Sequence, residues 1–299
     1  MSSEIKFWNP YTSKIEVEKI YGEKWLRFIY ESTLGKIGLW GMVKRKWFSS
    51  WYGRKMDACE SRAKIFPFIE KYKLNQSEFL DPPEIFKTFN EFFYRKLKPD
   101  ARPIDPDENG IIFPADGRHL LIPDLSEVKY IYAKGQKFCL ESLLGCPDLA
   151  NCLKNGAMLI SRLCPVDYHR FHFPVSGHLS ATTLIDGSLY SVNPIALRQK
   201  IAIFWQNKRY LSVLDNQYTG KIAQLLIGAT CVGSVHQTSK NECLVHKGEE
   251  YGYFSFGGSC VITIYQPNRI TFRQDLIEKS VEGLESYFKF GNKLGQIMD

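Results

Sequence analysis

The chain has 299 residues, of which 44% are hydrophobic, and a formal net charge of +7. This length allows one large domain or two smaller ones with a sizeable core, and the modest positive charge favours an anionic partner, either nucleic acid or an anionic membrane surface. The sequence argues against a membrane-spanning segment, a signal peptide and a zinc or redox motif, because it has no apolar run near ~18 residues, no basic region before an apolar core, and no C-x-x-C pair among its eight cysteines.

The N-terminal part is predicted to be mainly helical and to contact a membrane. Residues 1–15 are polar and predicted to be irregular, whereas residues 16–34 carry apolar side chains at roughly helical spacing. Residues 36–55 include six cationic and no acidic side chains, interleaved with aromatic ones that include three tryptophans within twelve residues. Trp prefers the lipid headgroup layer, and Lys and Arg complement anionic lipids. A basic-aromatic helical pair in a membrane interface is therefore favoured over a hairpin docked on its own domain or a nucleic-acid surface.

The periodicity then changes from helical to β-type along the chain. Residues 57–75 and 83–94 have helical spacing, and a further short helix is predicted at 137–144. Most of the remaining apolar runs are short and are bounded by glycine or Asp/Asn turns, which is typical of strands. The predicted strands are 110–113, 120–123, 130–132, 158–163, 178–185, 200–204, 210–214, 221–227, 232–236 and 261–265.

The proline-rich stretch 98–106 is the best candidate for a domain boundary. We therefore expect an α+β protein in which a helical, membrane-associating region, residues 1–104, precedes a β-rich domain, residues 105–299. The second domain is expected to be mostly antiparallel and sandwich-like.

Three short clusters in the β-rich region carry groups that can do chemistry. Asp116 lies in Pro-Ala-Asp-Gly, where a plain turn residue is the ordinary interpretation. His169 and His172 have H-x-x-H spacing, which on a helix could bind a metal, but the neighbouring Phe and Pro residues favour an extended backbone. Histidines packed among aromatics without a chemical role, or a histidine base oriented by a carboxylate, are the other interpretations.

Ser259 follows two glycines, between a run of alternating aromatics and a β-branched strand. The residues alone favour a hairpin turn. Asp, His and Ser in separate clusters also suit a hydrolase-like triad, although the sequence has no G-x-S-x-G elbow. A third possibility is attack of the Ser259 hydroxyl on the carbonyl of Gly258, which is unhindered because Gly258 has no side chain.

Taken together in chain order, these clusters resemble the pyruvoyl-dependent, self-cleaving phosphatidylserine decarboxylases. Single motifs are weak, but five in the right order between about residues 90 and 265 are very specific, and the tail Phe288-Lys289-Phe290-Gly291 also fits. The matching runs are Phe92-Phe93-x-Arg95-x-Leu97-Lys98-Pro99-x-Ala101-Arg102-Pro103-Ile104, Pro114-Ala115-Asp116-Gly117, Asp167-Tyr168-His169-Arg170-Phe171-His172-Phe173-Pro174, Gly228-Ala229-Thr230-x-Val232-Gly233-Ser234-Val235, and Lys247-Gly248-Glu249-Glu250-x-Gly252-Tyr253-Phe254-x-Phe256-Gly257-Gly258-Ser259.

The resemblance implies a role for each candidate residue. Asp116, His172 and Ser259 match the self-processing triad, in which the histidine takes the serine proton and the aspartate holds the imidazole. Ser259 attacks the Gly258 carbonyl, and elimination and hydrolysis leave a pyruvoyl group at residue 259. His169 matches a residue used in decarboxylation. No metal is implied.

The resemblance also implies the reaction and the partners. A Schiff base between the pyruvoyl group and phosphatidylserine would lead to loss of CO2 and release of phosphatidylethanolamine, in a carboxy-lyase reaction of phospholipid biosynthesis. The products of cleavage, a large chain 1–258 and a small chain 259–299, would stay associated as a heterodimer, with further dimerisation left open. The expected location is peripheral, on the cytoplasmic face of a bacterial cell membrane, with no nucleic-acid partner.

Two departures from the family pattern and two rival functions accompany this interpretation. Cys260 stands where the family more often has Thr or Ser, and we expect it to be a bystander. The family's Asn-Glu-Arg run is represented only by Asn216-Gln217-Tyr218, so any role of that loop is in doubt. The rivals are a non-enzymatic membrane-binding module and a Ser-His-Asp lipase or esterase, neither of which would cleave its own chain.

Overall fold

A computed structural model of the chain describes residues 4–20, 23–32, 53–127, 138–228, 235–257 and 259–298. The basic-aromatic segment lies almost entirely outside the described residues, as do the predicted strand at 130–132, Gly258 and most of the motif around residues 228–235. The strands are β1 (Lys6–Asn9), β2 (Lys14–Val17), β3 (Gly110–Ile112), β4 (Gly117–Ile122), β5 (Ala157–Leu163), β6 (Arg170–His172), β7 (Gly177–Leu179), β8 (Thr183–Ile185), β9 (Arg209–Asn216), β10 (Gly220–Gly228), β11 (Val235–Gln237), β12 (Leu244–Val245), β13 (Glu250–Phe254), β14 (Ser259–Tyr265), β15 (Ile270–Phe272), β16 (Glu285–Phe288) and β17 (Lys293–Ile297).

The helices are short and fall mainly outside the sheets. They are α1 (Glu23–Glu31), α2 (Ile65–Tyr72), α3 (Phe89–Phe93), α4 (Leu140–Leu144), α5 (Pro147–Leu153), α6 (Pro194–Gln199), α7 (Ile203–Gln206) and α8 (Gln274–Val281), with 3-10 turns at Cys59–Lys64, Gln76–Glu78, Pro83–Ile85, Pro99–Ala101 and Leu125–Glu127. None of the helices in the described ranges has the length and apolar character needed to cross a bilayer.

The largest sheet has eleven strands in the order β12-β7-β9-β10-β14-β5-β4-β16-β1-β2, with β8 paired to β9. All of its pairings are antiparallel except that of β1 with β16, which is parallel. Two three-stranded sheets, β11-β13-β6 and β15-β17-β3, accompany it. The expected α+β class with mostly antiparallel sheets is confirmed.

The centre of the large sheet is buried on both faces, which explains its continuous apolar runs. On β14, Cys260, Ile262 and Ile264 belong to one core cluster, which also holds residues of α1 and α4 to α7. Val261 and Tyr265 belong to a second cluster, which includes residues of the two smaller sheets and of α8. The strand β14 is therefore sandwiched between helices on one side and small sheets on the other, and all seven of its residues are buried.

A third core cluster fills the N-terminal helical part and is mostly aromatic. It contains Met56, Ile65, Phe68, Ile69, Phe79, Phe86, Phe89, Phe92, Phe93 and Phe256. The predicted helix at 83–94 is confirmed only in part, because a 3-10 turn and the separate helix α3 occupy it. Thr88 caps α3 by accepting the backbone N–H of Glu91 at 3.1 Å. Since Phe256 precedes Ser259 by three residues, this cluster packs directly on the stretch that leads into β14.

Two secondary-structure predictions are wrong. Of residues 1–15, which were predicted to be irregular, the described part 4–15 contains β1 and the first two residues of β2, and β1 extends the large sheet through β16. Residues 200–204 are not a strand, since Asn193 caps α6 and Pro194 occupies its first turn, and α7 follows directly. The helix predicted over 16–34 begins only at Glu23 in the described residues.

Candidate active site

Ser259 is the first residue of β14, at the centre of the large sheet. It pairs with Gly228 of β10 on one side and with Leu163 of β5 on the other. Its side chain is fully buried, and its hydroxyl oxygen has no hydrogen-bond partner among the described residues. Leaving a buried hydroxyl unsatisfied costs roughly 1–3 kcal/mol, so such a group in a native fold calls for an explanation. The hydroxyls of Thr263 and Tyr265 on the same strand share this property, and the position of Ser259 directly after two glycines distinguishes it from them.

The chain just before Ser259 runs alongside a turn that carries one of the candidate histidines. At one end the two segments are joined by the Ser259–Leu163 pair. At the other end, the backbone N–H of Phe254 donates to the carbonyl of His169 at 2.9 Å. Residues 255–257 are therefore held opposite residues 164–168. Gly257 has a φ of 138°, a region that disfavours any residue with a side chain, so the bend before Ser259 requires glycine at this position.

Asp116 lies one residue before β4, in the turn that the sequence indicated. The next position, 117, requires glycine, because an added Cβ there would lie 2.5 Å from the carbonyl oxygen of Arg162 on β5. The Asp116 carboxylate is buried and accepts three hydrogen bonds of 2.7–3.0 Å from the Arg102 guanidinium. It also accepts the backbone N–H of Phe290 at 2.8 Å. The Arg102 guanidinium also forms an ion pair with the Glu78 carboxylate, at 2.8 Å.

His172 ends β6, and its backbone N–H donates to Pro114, two residues before Asp116, at 2.8 Å. Its ring stacks on Phe290 with 3.6 Å between ring centres and lies beside Tyr168 at 5.9 Å. Nδ1 is buried without a hydrogen-bond partner. Burial, reinforced by the nearby charge of Arg170, lowers the pKa of His172 to about 3, so the imidazole is neutral at physiological pH.

His169 is fully buried, and its ring packs on Phe93 with 3.9 Å between ring centres. Nδ1 lies 3.0 Å from the carbonyl oxygen of Asp167. Since a carbonyl only accepts, Nδ1 carries the proton and Nε2 keeps a free lone pair. Nε2 is buried with no partner, and burial lowers the pKa of His169 to about 3. His169 is therefore a neutral base with an available acceptor atom.

The structure connects the candidate residues through intermediaries. Phe290 joins Asp116 to His172, through its backbone N–H and its ring respectively. Phe93 joins His169 to Phe256, with 4.9 Å between the two phenylalanine ring centres. Within the described part of the chain, Asp116 does not hydrogen-bond to His172, because Arg102 and Phe290 engage its carboxylate and Nδ1 of the histidine has no partner.

Beside these groups lies a layer of buried ion pairs. Arg162, on β5, donates to Glu18 and Glu285 through contacts of 2.5–3.4 Å. Arg118, on β4, pairs with Asp167, and Asp167 also accepts the backbone N–H of Cys164 at 2.6 Å. This layer anchors the turn that ends at His169. Sequence reasoning assigned no role to Arg102, Phe290 or these pairs. Two of these residues, Arg102 and Phe290, lie in motifs that carry the family resemblance, Arg102-Pro103 and Phe288–Gly291. No other sequence signal pointed to them.

His172 lies on extended backbone at the end of β6, and His169 lies one residue before that strand, so the pair is not on a helix. Among the residues that the structure describes, no group of three His, Cys, Asp or Glu side chains is arranged to hold a metal ion. The Cys260 thiol is buried, and burial raises its pKa far above the ordinary value, so the thiol stays protonated. This is consistent with a bystander at position 260.

Comparison with known proteins gives one consistent result. The sequence profile of the family described as phosphatidylserine decarboxylase matches residues 89–296. A phosphatidylserine decarboxylase proenzyme of Fusobacterium nucleatum is 43% identical over 292 residues, covering 98% of this chain and 97% of the relative. Proteins of the same name are 41% identical in Clostridium novyi, covering 97% of this chain and 99% of the relative, and 39% identical in Chlamydia trachomatis, covering 98% and 97%.

Proposed function

This chain belongs to the phosphatidylserine decarboxylase family and is therefore a decarboxylase, and from that premise we propose that it makes its own pyruvoyl group from Ser259 and uses it to convert phosphatidylserine to phosphatidylethanolamine. The relatives are named proenzymes, which supports a processing step before activity. The single observation that carries the proposal is the buried, unpartnered hydroxyl of Ser259 at the start of a central strand, directly after two glycines.

The residues around Ser259 fit a prosthetic group generated in place. Its hydroxyl oxygen, Nε2 of His169 and Nδ1 of His172 are all buried and lack partners. The described structure is that of the uncleaved chain, so these groups are free to contact whatever replaces the serine. Burial also excludes water, which strengthens every electrostatic interaction with a developing charge.

In the proposed self-processing, the Ser259 hydroxyl loses its proton to His172 and attacks the Gly258 carbonyl. The amide bond between these residues is replaced by an ester. Loss of the Ser259 α-proton then expels the Gly258 carboxylate and leaves dehydroalanine, which tautomerises and is hydrolysed with release of ammonia. A neutral imidazole is needed for the first proton transfer, and the lowered pKa of His172 supplies it.

Asp116 is proposed to position the imidazole of His172. In the described arrangement it does so through Phe290, whose backbone it fixes and whose ring stacks on the imidazole. Arg102 orients the Asp116 carboxylate, because its guanidinium binds both carboxylate oxygens in a bidentate pair.

For decarboxylation, the pyruvoyl group supplies an electrophilic carbonyl conjugated so that it can take up the electrons released with CO2. His169 is proposed to handle the proton that replaces CO2, at Nε2. Its Nδ1–H is fixed on the Asp167 carbonyl, so the ring presents Nε2 in one orientation. The contact with Phe93 excludes solvent from one ring face.

The proposed setting is the cytoplasmic face of a bacterial cell membrane, with the chain bound peripherally to anionic phospholipid. The bacterial relatives, the basic-aromatic composition of residues 36–55 and the exposed Phe28, Phe66 and Ile85 support this. The large and small chains are proposed to remain associated, since the small chain would contribute β14 to the middle of the sheet.

Mass spectrometry of the purified, active protein tests the function. We expect two chains, with the small one beginning at residue 259 and lighter by one ammonia than the same fragment with an N-terminal serine. Ser259→Ala should stay intact and inactive towards phosphatidylserine. An active preparation consisting of unmodified full-length chain contradicts the proposal. Labelling of Ser259 by an organophosphate in an intact chain would favour the esterase instead, and an intact, inactive, vesicle-binding chain the non-enzymatic module.

A further inference from the structure

A cleft of about 170 Å³ opens beside Asp116, between the N-terminal aromatic cluster and the β-rich body. Its walls include Arg95, Arg102, Asp116 and Tyr168. Tyr168 lies against the ring of His172, so the inner wall of the cleft adjoins the proposed processing residues. Pockets that enclose drug-sized ligands measure about 300–1,000 Å³, so this cleft suits a lipid headgroup rather than a whole lipid.

Most of the charges that line the cleft are already paired. Arg102 binds both Asp116 and Glu78, and Asp167 is held by Arg118. Lys289 lies 3.4 Å from Glu78. The carboxylates therefore leave no net negative charge in the cleft. For this reason they neither neutralise Arg95 strongly nor repel an anion that enters the cleft.

Among the described residues that line the cleft, Lys73 and Arg95 have no ion-pair partner, and of these two only Arg95 is buried. It is 5% exposed, and its Nε has no hydrogen-bond partner. The part of the chain that the structure describes offers it no carboxylate within ion-pair distance. Its guanidinium lies over the rings of Phe79 and Phe92, at 4.6 and 4.8 Å, and reaches the Phe92 carbonyl at 3.4 Å. Burial lowers the pKa of Arg95 to about 10, which still leaves it cationic at neutral pH.

A buried cation without an anion is costly, and cation–π contacts offset only part of that cost. Guanidinium groups bind phosphate oxygens through two parallel hydrogen bonds, and Arg95 lines the cleft with a buried Nε–H that has no partner among the described residues. Building on the function proposed above, we propose that this cleft is an anion subsite in which Arg95 holds the phosphodiester of the phosphatidylserine headgroup.

The phosphodiester is the better anion for this position than the headgroup carboxylate. The carboxylate loses its charge as CO2 departs, so pairing it with a buried guanidinium would stabilise the reactant more than the transition state and slow the reaction. The phosphodiester keeps its charge throughout, so a bond to Arg95 contributes equally before and during the reaction. Loss of Arg95 should therefore appear in KM and leave kcat nearly unchanged.

The first experiment measures binding without turnover. Ser259→Ala keeps the chain intact, and calorimetric titration with inorganic phosphate should show saturable binding. Adding Arg95→Gln should weaken that binding about 10- to 100-fold, the range expected for a hydrogen bond to a charged group. Lys96→Gln is the matched control, because it removes a charge from the adjacent, exposed residue outside the cleft. Sodium acetate at equal ionic strength should not bind.

The second experiment separates a lipid headgroup from free phosphate. With phosphatidylserine in phosphatidylcholine vesicles, Arg95→Gln should raise KM about 10- to 100-fold with kcat within about twofold of the unsubstituted enzyme. Inorganic phosphate should inhibit that enzyme competitively and lose its effect in the variant. Phosphate binding through Arg95 with an unchanged KM would make the site one for free phosphate and overturn the assignment to the headgroup.

The assignment is also overturned if Ser259→Ala binds no phosphate, if Arg95→Gln binds it as well as its parent, or if kcat falls while KM is constant. Should Arg95→Gln fail to fold by circular dichroism, Arg95→Lys decides. It keeps the charge but not the fork, and about 3- to 10-fold weaker binding is expected; unchanged binding overturns the assignment. An unsubstituted enzyme that neither cleaves nor decarboxylates would refute the proposed function instead, while the phosphate titration still reports on the cleft.

Discussion

Two buried polar regions meet at the β5–β14 pair of the large sheet and differ in how their polar groups are paired. The ion-pair layer consists of Glu18, Arg118, Arg162, Asp167 and Glu285, and every one of these side chains has a charged partner. The proposed reaction centre consists of Ser259, His169 and His172. Among the described residues these side chains have no charged partner, and each has a buried polar atom without a hydrogen-bond partner, a property that the ion-pair layer shows only at Nε of Arg118. The two regions meet on adjacent pairs, since Arg162 is opposite Cys260 and Leu163 is opposite Ser259.

The difference teaches how burial alone can be misleading. Both regions are desolvated, and a buried polar group is expected to be satisfied unless it has another purpose. His119 shows this for histidine. It is as buried as His169, and its pKa is likewise lowered to about 3, but Nδ1 contacts the Ser161 hydroxyl at 2.9 Å and Nε2 the Phe288 carbonyl at 3.2 Å. A lowered pKa therefore does not distinguish His119 from the two histidines proposed to react, whereas a buried ring nitrogen without a partner among the described residues does.

Self-cleavage of the His172→Ala variant would contradict the proposed difference between the two regions most clearly. We expect the rate of self-cleavage to fall on the order of 10²–10⁴-fold, because a positioned general base contributes about that much. His119→Gln is the matched control and should cleave at nearly the normal rate once folded. Time courses on denaturing gels measure both. Normal cleavage in folded His172→Ala would show that another group takes the Ser259 proton.

The His169→Ala variant tests whether His169 and His172 act in different steps, decarboxylation and self-cleavage respectively. Cleavage should continue, because His172 serves that step, whereas CO2 release from phosphatidylserine should fall by at least about 100-fold for want of a proton carrier. The measurement is CO2 release per pyruvoyl-bearing small chain, so that incomplete maturation does not distort it. Equal activity per matured chain would remove His169 from the decarboxylation step.

Arg162→Met probes the ion-pair layer. It leaves Glu18 and Glu285 buried without their main partner, so the free energy of unfolding should fall by about 3–5 kcal/mol. Arg273→Met is the control: it removes a half-exposed pair with Asp275 and should cost less than about 1 kcal/mol. Urea unfolding in the Ser259→Ala background measures both on a single chain. A loss below 1 kcal/mol for Arg162→Met would contradict a structural role for the layer.

The smallest effect concerns pH. His119, His169 and His172 are neutral in the folded chain down to about pH 3 but take up protons near pH 6.5 when unfolded. Below pH 6.5 the unfolded state thus binds more protons, and stability falls as the pH falls. His119→Gln should reduce the slope of unfolding free energy against pH by about 1.4 kcal/mol per unit between pH 4 and 6. An unchanged slope would mean that His119 titrates in the folded state.

The central strands were predictable because burial on both faces leaves an unmistakable signal. β5, β10 and β14 are mostly apolar and almost entirely buried, and each was located within a few residues. The strand β1 was missed because it is short and mixed in polarity, and because its sheet partner β16 is far along the chain. The error at residues 200–204 arose from apolar residues that pack as helices, for which the decisive signal, Asn193-Pro194, lies upstream.

Sequence reasoning could single out Ser259, His169, His172 and Asp116 because five motifs in the right chain order are specific together, although each alone is weak. Their environment could not be predicted in the same way. The capture of Asp116 by Arg102 and the isolation of Arg95 among aromatic rings depend on contacts between distant elements, and neither spacing nor composition encodes them. The same holds for Phe290, which joins two candidate residues from the far end of the chain.

The position of β14 has a consequence for the life history of the protein. If the chain is cut before Ser259, an internal strand, flanked by β10 and β5, belongs to a separate polypeptide. After complete unfolding, the small chain would have to insert β14 between β10 and β5 without a covalent link to the large chain. Connectivity would thus be needed for assembly and dispensable afterwards. We expect the intact Ser259→Ala chain to refold from urea and the matured enzyme not to, so that each molecule has a single opportunity to acquire its shape.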